Sequence, residues 1–106
     1  MKADDLHGVD LNRRIPDMMA WEAVVQKWVI GELLREHPAM KFRISQLPHY
    51  AFSVSVYKEP VHPDTKLWRA ILSAQPERTV EQVVDALETL RAQLRDGINR
   101  IEAGIL

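Results

Sequence analysis

The sequence predicts an α+β domain of order α-β-β-β-α, an antiparallel three-stranded meander packed against a long N-terminal and a long C-terminal helix. Three observations lead there. Residues 40–57 alternate apolar and polar side chains with a period of two, which suits half-buried strands. Segments on either side space their apolar residues at helical intervals. Prolines and glycines fall between these stretches and punctuate them.

Residues 1–14 mix acids, Gly8 and the pair Arg13-Arg14 without a period, and read as a flexible N-terminal arm. Residues 15–106 form the single α+β domain. Pro16 suits the first turn of a helix, where its missing N–H costs nothing. The composition from Asp17 to Glu36 favours helix, and His37-Pro38 stops it, because the residue before proline avoids helical ψ. Met40, Phe42 and Ile44 then alternate with Lys41, Arg43 and Ser45 as a first strand. Gln46-Leu47-Pro48 reads as a turn. Tyr50, Phe52, Val54 and Val56 alternate with Ala51, Ser53, Ser55 and Tyr57, the clearest strand in the chain. The stretch from Glu59 to Asp64 is a loop, its two prolines excluding regular structure. A third strand, Leu67 to Ala74, places Trp68, Ala70, Leu72 and Ala74 on one face. Thr79-Val80-Glu81-Gln82 reads as a capping box. The helix behind it carries Val80, Val83, Val84, Leu87, Leu90 and Leu94 as a stripe, and Asp96-Gly97 is expected to end or bend it.

Composition removes several function classes. The 106 residues contain no cysteine, which excludes disulfides and thiolate chemistry and fits a reducing compartment. Fourteen basic and fifteen acidic side chains give a net charge of −1, with no charged tail to steer the chain toward nucleic acid or a membrane surface. The N-terminus lacks an apolar run, and no stretch reads as a membrane span. A cytoplasmic location is expected.

No catalytic constellation stands out. His7, His37, His49 and His62 show no spacing of a zinc helix, so neither a metal nor a cofactor is expected. His62 beside Asp64 is the one arrangement resembling an oriented base, and it would serve only a small dimeric enzyme with its site at the interface. Ser53 and Ser55 sit outside any nucleophile elbow, and glycines at 8, 31, 97 and 104 build no phosphate-cradling loop. The chain is therefore expected not to be an enzyme. The C-terminal helix places glycine at two of four heptad seam positions, so its stripe reads as core and not as a coiled coil.

Lys41, Arg43, Lys58, Lys66, Arg13 and Arg14 are the basic side chains that nucleic acid would use. The element order resembles that of the double-stranded-RNA-binding domain, and the resemblance is of order alone. That family opens its second long helix with clustered lysines. Here the matching turn reads Pro76-Glu77-Arg78-Thr79-Val80-Glu81, followed by Asp85 and Glu88, and acids there repel phosphate. Nucleic acid is disfavoured on that ground.

The first helix carries the main functional expectation. Met18, Trp21, Val25, Trp28 and Val29 make one apolar stripe, while Met19, Ala23, Ile30, Leu33 and Leu34 fall on the other side. A helix apolar nearly all round asks for cover on two sides. Met19, Ile30, Leu33 and Leu34 are accordingly expected to contact a protein partner, either a second copy in a homodimer or a foreign protein. The function expected is that of a small non-enzymatic regulatory protein, a stoichiometric inhibitor or adaptor docking through an apolar helix. Phage and mobile elements encode proteins of this size against host defence or transcription complexes, and that parallel rests on size alone.

Overall fold

A computed structural model describes residues 18–58, 67–74 and 79–104. The expected arm over residues 1–14, and with it Arg13 and Arg14, lies outside the described residues, as do Lys66, His62 and Asp64. Within them, alternation in the sequence becomes strand. β1 (Met40–Leu47), β2 (Ala51–Lys58) and β3 (Leu67–Ser73) form one antiparallel sheet in the order β1-β2-β3.

Pairing stacks the strands into cross-strand rows. Phe42, Val56 and Trp68 form one row, Ile44, Val54 and Ala70 the next, and Gln46, Phe52 and Leu72 the third. These rows make the core face, because side chains two apart along a strand share a face. Phe52, Val54, Val56, Ala70 and Leu72 are all buried there. β1 runs on to Leu47, and the turn to β2 is Pro48-His49-Tyr50. His49 and Tyr50 both hold positive φ, +62° and +58°, a left-handed conformation uncommon for side chains of this bulk. Tyr50 O accepts a hydrogen bond from Ala74 N at 2.6 Å, which ties this turn to the end of β3.

α3 (Val80–Glu102) lies across β3 and β2. It starts with the capping box read from the sequence: Gln82 N donates to Thr79 Oγ1 (3.1 Å), and Thr79 N donates to Gln82 Oε1 (2.9 Å). Its buried stripe is Val83, Leu87, Leu90, Leu94, Gly97 and Ile98. The helix runs on through Gly97 to Glu102, so Asp96-Gly97 does not end it. A glycine there meets a packing need, described below, and not a turn.

The expected long N-terminal helix is also corrected. From Met18 the chain is helical in three short segments: α1 (Met18–Val25), a π turn (Gln26–Ile30) and α2 (Gly31–Glu36). Gly31 N–H donates to Gln26 O five residues back, so this turn holds roughly one residue more than an α turn. The extra residue rotates everything after it about the helix axis. Ile30, five residues past Val25 and on a second face of a uniform helix, thereby rejoins the stripe of Val25, and Leu33, four residues past Val29, lies on that stripe too.

That rotation corrects the expected contact face. Ile30 (7 % exposed) and Leu33 (0 %) lie in the core with Trp21, Val24, Val25 and Val29. Leu34 remains 38 % exposed and Ala23 is exposed, while the Met19 side chain is outside the description. The second apolar face is thus reduced, among the described residues, to Ala23 and Leu34, with Gln26 and Lys27 also exposed on the outer side. Lys27 Nζ lies 4.9 Å from the Trp28 ring centre and helps shield it.

The helical segments bind to α3 by polar ties as well. Arg91 donates to Trp28 O (2.8 Å) and pairs with Glu32 (2.9 Å). Arg95 takes both carboxylate oxygens of Glu36, and His37 Nδ1 lies 3.0 Å from Glu102 Oε1. The partners ascend together, so α2 and α3 run in the same direction.

Candidate binding surface on the open face of the sheet

The rows between the core rows point away from the helices. They are Lys41, Tyr57 and Leu67; Arg43, Ser55 and Arg69; Ser45, Ser53 and Ile71; and Leu47, Ala51 and Ser73. Three cations and five hydroxyls share this face, and among the described residues no carboxylate lies on it. In a chain of net charge −1, such a face is a local positive field.

Arg43 and Arg69 flank Ser55 from opposite edges of the sheet. With Ser45, Ser53, Tyr57, Leu47 and Leu67 they line one shallow basin of about 240 Å³. Arg69 Nε donates to Ser53 Oγ at 2.6 Å, and Ser53 is buried on the central strand (6 % exposed). This bond holds the guanidinium over the sheet through Nε, so that its terminal nitrogens face the basin among the described residues. Two guanidinium forks converging on one basin suit carboxylate or phosphate, which they bind by paired charge-assisted hydrogen bonds. The basin presents donors and charge; its chemistry is that of holding an anion.

The structure joins Lys41 and Arg43 on this face and adds Arg69, which the sequence reading did not single out. Its signal was present: Arg69 alternates with Trp68 and Ala70 and so points away from the core. Its nearness to Arg43, 26 positions earlier in the chain, depends on the register of three strands. Lys58 pairs with Met40 and has core-face parity, so it does not join the others. Among the described residues, no group of three His, Cys, Asp or Glu side chains is placed to hold a metal ion. No described helix is long and apolar enough to cross a membrane.

Fold and surface together define a class: a small α+β domain whose antiparallel sheet is covered by α3 on one face and presents a basic, hydroxyl-rich surface on the other. Comparison with protein-family models, with curated proteins and with solved structures finds no match to this chain.

Proposed function

We propose that this protein is a small non-enzymatic binding protein, an adaptor or stoichiometric inhibitor, that docks on an acidic segment of a protein partner. The open sheet face is its contact surface, in place of the apolar helix that the sequence alone favours. A single observation carries this reading: Lys41, Arg43 and Arg69 share one face that holds no carboxylate among the described residues. Burial of Ile30 and Leu33 removes two of the four residues expected on the apolar helix face and weakens it as an alternative. A cysteine-free chain of this kind is compatible with action in the cytoplasm.

Nucleic acid is the second reading, since Lys41 and Arg43 do lie together on the basic face. Tyr57 is the one aromatic side chain of that face, which offers little for stacking unpaired bases. The acids at the start of α3 oppose phosphate there as well.

Tagged protein, wild type and the Arg43→Glu/Arg69→Glu variant, would be used to capture partners from lysate with and without nuclease. A stoichiometric protein that survives nuclease and is lost on charge reversal supports docking through the face. Loss with nuclease, together with a salt-sensitive mobility shift, moves the assignment to nucleic acid. Partners retained by the variant place the contact elsewhere.

A further inference from the structure

Among the described residues, the outer edge of β3 is open. Ala74 N bonds Tyr50 O, so residue 74 and, two apart, Leu72, Ala70 and Trp68 direct their backbone groups to β2. Leu67, Arg69, Ile71 and Ser73 therefore turn N–H and C=O outward. Among the described residues no strand pairs with them.

Edge strands are normally guarded against further pairing by charge, proline or a bulge. β1, at the other edge, carries exposed Lys41 and Arg43. β3 contains no proline and pairs without a bulge, and its single charge, Arg69, is turned back onto Ser53. Instead it exposes Leu67 (51 %) and Ile71 (52 %), two of the four large hydrophobics exposed among the described residues.

We propose that β3 pairs antiparallel with β3 of a second copy about a two-fold axis through Ala70, joining two sheets into one of six strands. Symmetry selects this register. Outward-facing residues must meet outward-facing ones, and only the axis at Ala70 pairs all four: Leu67 with the partner's Ser73, and Arg69 with the partner's Ile71. Ala70 then meets its own copy at a non-hydrogen-bonded position, where backbones come closest and a small side chain fits.

α3 complements the same arrangement. A groove of about 470 Å³ runs between β3 and α3, with Ile71 and Ser73 on one wall and Asp85, Ala86, Thr89 and Gln93 on the other. Ala86 and Thr89 are small enough for a second helix to approach. The two-fold sets Leu72 opposite the partner's Trp68. Asp85, in the groove beside Leu72, consequently faces the partner's Arg100, whose guanidinium lies 5.0 Å from the Trp68 ring centre and 3.2 Å from Asp96 Oδ2 within its own chain and would be shared between the two carboxylates. Opposite charges meet twice across the axis. The assembly uses the backbone edge of β3 and the flank of α3, and it borders the open-face basin, with which it shares Leu67 and Arg69.

Light scattering on the full chain at about 200 µM tests it, a concentration at which even a modest interface is populated. The expected mass is twice the 12.2 kDa of one chain. Ile71→Lys, at an exposed position, should return the monomer mass with an unchanged circular dichroism spectrum, and Leu67→Lys serves as a second edge variant. Asp85→Arg should weaken dimerisation at least about tenfold, and adding Arg100→Asp should restore it. A wild-type monomer overturns the proposal, including the case in which the chain's own remaining segments cover the edge. A dimer indifferent to Ile71→Lys and Leu67→Lys overturns it equally, and failure of the charge swap to rescue rejects the Ala70 register.

Discussion

Gly97 of α3 lies directly against Trp68 of β3, so close that a β-carbon at position 97 would overlap the Cβ, Cγ and Cδ1 atoms of the tryptophan. The absence of a side chain is what lets helix and sheet approach at this point, and Arg100, one turn on, stacks over the same ring. Gly97→Ala gains helix propensity, worth about 1 kcal/mol. The overlap costs about 1–3 kcal/mol or more, since the indole is anchored by its own strand and cannot retreat. Urea denaturation should show a net loss. Equal or higher stability would mean that α3 can shift away from β3 freely.

Burial predicts a sharp contrast between two neighbours in α2. Leu33 is fully buried and Leu34 is 38 % exposed. Leu33→Ala should cost about 2–5 kcal/mol. Leu34→Ala should stay within about 0.5 kcal/mol. Similar losses at both positions in thermal melts would show that Leu33 is not held in the core as its burial implies.

Two ion pairs join α2 to α3, and burial ranks them. The Arg91 and Glu32 side chains are 14 % and 24 % exposed, against 41 % and 48 % for Arg95 and Glu36. Glu32→Ala leaves a largely buried guanidinium with the Trp28 carbonyl alone and should cost about 1–3 kcal/mol. Glu36→Ala should cost no more than about 0.5 kcal/mol, and most of that should vanish in 1 M salt. Equal costs from chemical denaturation at low salt would contradict this ranking.

Tyr50 sits at φ +58° with its side chain about half exposed. A non-glycine residue held there is strained by about 1 kcal/mol, which glycine relieves at a similar entropic cost in the unfolded chain. Tyr50→Gly should therefore change stability by less than about 1 kcal/mol, and Tyr50→Val should be clearly destabilising because branching at Cβ worsens the clash. Denaturation midpoints of the two variants provide the comparison.

Much of this architecture is legible in local sequence. Period-two alternation marks Met40–Ile44 and Phe52–Val56 as strands, and it assigns Arg69 to the face away from Trp68. The Thr79–Gln82 capping box announces the start of α3 because a cap satisfies N–H groups within a single turn. These are properties of neighbours in the chain, so neighbours suffice to read them.

What only the tertiary structure decided are relations between segments. Ile30 falls on a second face of a uniform helix and is buried because one π turn changes its azimuth, a deviation that helical spacing cannot register. Gly97 looks like a helix end and is a contact point, because Trp68 lies 29 residues away in sequence. Arg43 and Arg69 share a basin only through the pairing of both their strands with β2. By itself the sequence determined which stretches are helical or extended and which strand side chains face inward, since those follow from periodicity and short-range hydrogen bonding. Which surfaces remain open depended on register and helix rotation, and these are set by long-range packing.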